Sequence, residues 1–98
     1  MGVVFTRIGT PHPGRQAEAF EFVKARAQAV NAAYHTNAEV HVRFGGPIGQ
    51  VVMVSRHKTV QELEDIKRKV IEDSSHGKIP VAPDGVFATV EDAIWLTK

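Results

Sequence analysis

Apolar and polar positions change their period several times along the chain, and each change marks an element. Residues 3–8, VVFTRI, are almost all β-branched or aromatic and stop at Gly9, which predicts a first strand. Thr10-Pro11-His12-Pro13-Gly14 follows, and two prolines with a glycine do not belong in a helix interior. From Arg15 the spacing becomes three and four: Phe20, Val23, Ala27, Val30 and Tyr34 share one stripe, predicting a helix that runs to about His35.

Residues 38–44 and 50–57 alternate in the manner of strands. With 45–49 as the connecting loop and Phe44 opposite Gln50, Val42 faces Val52, Val40 faces Val54, His41 faces Met53 and Arg43 faces Val51. This register predicts one apolar face of Val40, Val42, Phe44, Val52 and Val54. The other face carries Glu39, His41, Arg43, Val51, Met53 and Ser55. Thr59-Val60-Gln61-Glu62 matches a capping box, with the Thr59 hydroxyl accepting from the Glu62 amide and the Glu62 carboxylate reaching back to the Thr59 amide. A second helix therefore starts there, with Val60, Leu63, Ile66 and Val70 as its buried stripe and Ser74-Ser75-His76-Gly77 as its end. After a loop with Pro80, Pro83 and Asp84-Gly85, residues 86–96 read as a last strand, with Glu91-Asp92 as the place where an interruption would fall.

The order βαββαβ predicts an α+β, ferredoxin-like domain over residues 1–98, with four antiparallel strands and two helices on one face. The uncovered face would then hold Val3, Phe5, Val51 and Met53 among Arg7, His41, Arg43 and Ser55. A semi-apolar face of that kind predicts a homodimer in which two sheets face each other and enclose a pocket. Length points the same way. A domain of 98 residues buries about 60–65% of the surface its unfolded chain exposes, so a partner would add useful burial.

Charge narrows the partners. Twelve Lys+Arg against eleven Asp+Glu are scattered rather than clustered, which excludes the basic stripe of a nucleic-acid binder. No apolar run approaches the length of a membrane span, and the absence of cysteine fits a reducing compartment, so a cytoplasmic protein without membrane partners is expected.

The βαββαβ layout, the run from Arg7 to Pro13-Gly14, the turn Gly46-Pro47-Ile48-Gly49 and the helix start from Thr59 to Glu64 together resemble the dimeric α/β-barrel superfamily. Within it the chain is similar to NIPSNAP-like and antibiotic-biosynthesis-monooxygenase-like domains. The resemblance implies a barrel-like dimer. That superfamily holds cofactor-free monooxygenases, haem-degrading enzymes, dismutase- and dehydratase-type enzymes and small-ligand binders. Its haem-degrading and quinol-oxidising branches use an Asn on the first strand, which this chain lacks; Trp95 and His76 do not stand in their motif positions.

Candidate chemistry is sparse. Gly45-Gly46-Pro47-Ile48-Gly49 leads into a strand rather than a helix and is followed by no Lys-Ser/Thr, so it reads as a turn and not a phosphate cradle. His12, His35, His41, His57 and His76 form no H-x-H, H-x₃-H or H-E-x-x-H spacing, so no metal and no cofactor is called for. His35 reads as a helix-end cation, and His12 and His76 as loop residues. His41 is the candidate for proton transfer, since Glu39, Arg43 and Ser55 surround it in this register; interface pairing is its other reading. Arg7 and Arg43 suit a carboxylate, with Phe5, Met53 and Trp95 as apolar walls, which describes a small anionic or aromatic organic ligand. An ion pair of Arg7 with Glu39 or Glu91 is the alternative. Ser55, Ser74 and Ser75 lack a G-x-S-x-G elbow, so the sequence offers no acyl-transfer signature. Three functions remain open: a small-ligand binder, a cofactor-independent monooxygenase-like enzyme and a structural dimer.

Overall fold

The computed structural model describes residues 2–43 and 49–98; the proposed turn residues Gly45, Gly46, Pro47 and Ile48, together with Phe44, lie outside them. Six elements follow in the expected order: β1 (Val3–Pro11), α1 (Gln16–Tyr34), β2 (Glu39–Val42), β3 (Val51–His57), α2 (Val60–Ser75) and β4 (Phe87–Leu96). The strands make one antiparallel sheet in the order β2-β3-β1-β4, the ferredoxin-like arrangement in which both crossover helices cover the same face.

β1 continues past Gly9 to Pro11 instead of ending there. It pairs with β3 only as far as Gly9↔Val51, while β4 accompanies it to Pro11↔Phe87, so the proline's missing N–H falls where one flank faces no strand. Glycine at position 9 has a steric reason: an added Cβ would lie 2.6 Å from the ring of Phe87. β4 also runs unbroken through Glu91 and Asp92, because Asp92 sits opposite Arg7 and pairs with its side chain.

The hairpin register differs from the expected one by one residue. Glu39 faces Val54, Val40 faces Met53, His41 faces Val52 and Val42 faces Val51. The Arg43 amide donates to the Gln50 carbonyl at 2.9 Å, so these two residues, rather than Phe44 and Gln50, close the ladder. Val51-Val52-Met53-Val54 is apolar on both faces, so alternation within β3 cannot select a register. Pairing with β1 does, by setting Phe5 beside Ser55 and Arg7 beside Met53. Val3, Phe5, Arg7, Val51, Met53 and Ser55 therefore share one face, and because Val3, Phe5 and Met53 pack on Leu63 of α2 it is the helix-covered face, not the open one. Gly49, the described glycine of the loop, has φ +80° and would drive a Cβ into Gln16, as a turn glycine does.

The core sits between this face and the helices. Val3, Phe5 and Leu63 form its centre, with Met53 packed against them. From α1, Ala19, Ala27 and Val30 are buried, and Phe22 meets Phe87 edge-on at 6.1 Å. α2 is capped as expected by Thr59, whose hydroxyl accepts from the Glu62 amide at 3.1 Å. The Glu62 carboxylate reaches the Lys58 amide at 3.4 Å rather than that of Thr59. Val60, the first helical position, is exposed and drops out of the predicted stripe. Tyr34 donates to Asp73 and ties the two helix ends together. Its phenol is pushed up to about 12, first by burial and then by Asp73.

Candidate functional site

The corrected register sorts the candidate residues onto two sides of the sheet. Phe5, Arg7, Met53 and Ser55 face the helices, while His41, Arg43 and Trp95 belong to the open side. They do not form one site. On the open side, His41 Nε2 lies 3.2 Å from Glu39, and Arg43 donates to the Gln50 side chain at 2.8 Å, which in turn donates to Thr10. Trp95 is 61% exposed and its indole donates to Thr6 at 3.3 Å. These are neighbouring polar contacts within the chain on an exposed surface.

A recess lies beneath the helices. One cavity of about 90 Å³ is bounded by Phe5 and Arg7 of β1, Arg26 and Val30 of α1, Met53, Ser55 and His57 of β3, and Leu63, Ile66, Lys67 and Val70 of α2. A second, of about 240 Å³, lies toward β4 and the 81–82 loop, with Phe22, Val23, Phe87 and Val90 in its wall. Arg7, Arg26 and Met53 line both. The two cavities therefore meet at a cationic partition.

The two guanidiniums of the partition are held differently. Arg7 makes a bidentate pair with Asp92, Nε to Oδ1 at 2.7 Å and Nη2 to Oδ2 at 2.9 Å. This fork raises the Arg7 pKa against the opposing effect of burial, and holds Asp92 below the usual carboxylate range. The predicted partners Glu39 and Glu91 are not used. Arg26 Nη1 donates to the Pro80 carbonyl at 2.6 Å, and among the described residues it has no carboxylate partner. Burial lowers its pKa, and the charge of Arg7 lowers it further. The site thus places two positive groups in a mostly apolar recess beside one carboxylate. Lys67, stacked 5.4 Å from the Phe5 ring, adds a third cation to the smaller cavity.

At the other end of the same cavity Ser55 and His57, two residues apart on β3, point to one side. Ser55 Oγ lies 2.8 Å from His57 Nε2, and His57 Nδ1 lies 4.0 Å from Glu62 Oε1. Both are buried, at 7% and 8% exposure. Burial lowers the His57 pKa, with Glu62 opposing, so the imidazole is neutral near pH 7 and can accept a proton. Sequence reasoning passed over His57 and Arg26. Both carried a signal: an i, i+2 Ser-x-His in a strand puts both side chains on one face, and Arg26 stands three residues after Val23 and four before Val30 on the apolar stripe.

Among the described residues no cluster of three His, Asp or Glu is arranged to hold a metal ion, and no helix is long and apolar enough to cross a membrane.

No protein-family model and no curated protein matches the chain. Solved structures do. A NIPSNAP family protein from Agrobacterium tumefaciens superposes with a TM-score of 0.81 at 20% identity, covering 100% of this chain and 94% of that one. An uncharacterised NIPSNAP domain protein from Burkholderia xenovorans gives 0.79 at 10% identity, over 98% and 94%. Another Agrobacterium NIPSNAP family protein, of unknown function, gives 0.73 at 13%, over 96% and 86%. The chain has the ferredoxin-like fold that its strand and helix order implied, in the NIPSNAP-like form that its resemblance implied. At these identities the likeness speaks for fold and leaves function to the site.

Proposed function

We propose that this protein binds a small organic acid with an apolar body in the recess between its helices and its sheet, not between two facing sheets. The observation that carries this reading is Arg26, a guanidinium at the junction of two apolar-walled cavities with no carboxylate of its own and Arg7 beside it. A ligand carboxylate supplies the missing counter-charge through two parallel hydrogen bonds, and Phe5, Leu63, Ile66 and Val70 receive the hydrocarbon. His41, Arg43 and Trp95 have no part in it. Calorimetric titration with hexanoate, benzoate and the corresponding amides tests the reading. Binding of the acids alone, lost in Arg26→Gln, is the expected result; equal binding of acids and amides would contradict it.

The open face supports a homodimer. Val4, Ile8, Val52 and Val54 from the two central strands share it with Thr6, Thr10 and Arg56, and β4 adds Trp95, an exposed aromatic side chain opposite Val4. A second copy seated on that face would cover them. The protein would work in the cytoplasm as a ligand-binding dimer. A monooxygenase-like activity is the second reading, and the observation favouring it is a neutral histidine in the recess; that residue is His57, and His41 is withdrawn from the role.

A further inference from the structure

We infer that Ser55, His57 and Glu62 form a nucleophilic relay that opens a carboxylic ester bound in the smaller cavity. This rests on the proposal that the recess admits an organic ligand, and adds what happens at its far wall.

The geometry is that of an activated hydroxyl. Ser55 Oγ is within hydrogen-bond distance of His57 Nε2 at 2.8 Å, and both residues line the cavity. The other ring nitrogen, Nδ1, faces Glu62 Oε1 at 4.0 Å. That carboxylate favours the tautomer with hydrogen on Nδ1, which leaves Nε2 as the acceptor for the serine proton. Glu62 is itself held by the start of α2, since its amide donates to Thr59 and its second oxygen accepts from Lys58. The order serine, base, orienting carboxylate is the general requirement for a serine nucleophile, and it is defined by geometry rather than by an elbow motif. Of the charged groups around the cavity, Arg7, Arg26 and Lys67 are cations that favour a developing oxyanion, while Glu62 behind the ring and Asp92, paired with Arg7, are the carboxylates.

The step balances with water as the co-reactant. His57 Nε2 takes the Ser55 proton as Oγ bonds to the acyl carbon, the acyl–oxygen bond breaks, and His57 returns the proton to the leaving alcohol. Water then adds to the acyl-enzyme with His57 again as base, the Oγ–acyl bond breaks, and the proton goes back to Ser55. One ester and one water give one acid and one alcohol. The volume of about 90 Å³ and its apolar walls limit the acyl group to a short chain.

The test uses the whole chain with a fluorophosphonate, in which Oγ–P bond formation expels fluoride, and with p-nitrophenyl butyrate. One adduct, mapped by peptide mass spectrometry to Ser55, is the expected result. Ester turnover and adduct are lost in Ser55→Ala, and labelling slows by roughly 10²–10⁴ in His57→Gln. Glu62 is a positioning residue. Glu62→Gln moves the midpoint of the labelling rate to lower pH, because the carboxylate that raises the imidazole pKa is gone. No adduct on the folded native protein, an adduct elsewhere, or an unchanged rate in His57→Gln would overturn the proposal. Adduct at Ser55 without binding of hexanoate would sustain the nucleophile and defeat the acid-binding reading; hexanoate binding without adduct would do the reverse.

Discussion

Removing the Asp92 charge tests how the partition between the cavities is balanced. Asp92→Asn keeps the shape but leaves Arg7 and Arg26 as neighbouring guanidiniums without a carboxylate between them. The fork is bidentate, yet its side chains are 35% and 37% exposed, so solvent screening puts its worth near the upper end for exposed pairs, about 1 kcal/mol. In a domain of this size that corresponds to roughly 4–8 °C in the thermal midpoint. The freed Arg7 joins Arg26 in holding an added carboxylate, so hexanoate raises the midpoint of the variant more than that of the native protein, and at a hundredfold excess over its dissociation constant it adds about 2.7 kcal/mol, more than the charge removal costs. Differential scanning fluorimetry with hexanoate and hexanamide reads both effects. An unchanged midpoint in the variant, or the same shift from acid and amide, would refute the reasoning.

Other consequences follow from single contacts. Gly49→Ala forces a β-carbon into φ +80° and against Gln16, so chemical denaturation should show a loss of about 1–2 kcal/mol or more. His57 has a folded pKa below its unfolded value of about 6.5, so the unfolded chain takes up a proton that the folded one refuses. Stability is therefore fully present above that value and falls as the pH drops through it. Comparing pH 7.5 with 5.5, the midpoint of His57→Gln should change less than that of the native protein; equal slopes would count against a buried neutral imidazole. Leu63→Ala, at the centre of the core, should cost about 2–5 kcal/mol in urea unfolding with the dimension of the cavity increased. On the open face, sedimentation at micromolar concentration should show a dimer that Trp95→Lys weakens without unfolding the chain, and a native monomer would dismiss the pairing of sheets.

Element order was readable because long-period signals are local: the stripe of α1, the Thr59 cap and the two β-rich ends each speak for a few consecutive residues. Register was not, since Val51-Val52-Met53-Val54 is apolar on both faces and its partner β1 lies more than forty residues away in sequence. That slip parted Met53 and Ser55 from His41 and Arg43, and the packing of Val3, Phe5 and Met53 against Leu63 set their face of the sheet beneath the helices. Arg7 was anticipated as an anion contact, though its carboxylate partner Asp92 was not. Arg26 went unread because a charged residue on a helix is ordinarily solvated, and here the loop carbonyl of Pro80 and the neighbouring Arg7 give it a different setting. His57 went unread because one histidine at a strand end means little until α2 brings Glu62 behind it.

The central claim is that an acid is held beneath the helices by Arg26. A crystal structure of the native protein soaked in hexanoate tests it most directly. The expected density is a carboxylate within hydrogen-bond distance of Arg26, with its hydrocarbon running along Phe5, Leu63 and Val70. A carboxylate at His41 and Arg43 on the open sheet, or both cavities filled by water alone, would contradict it.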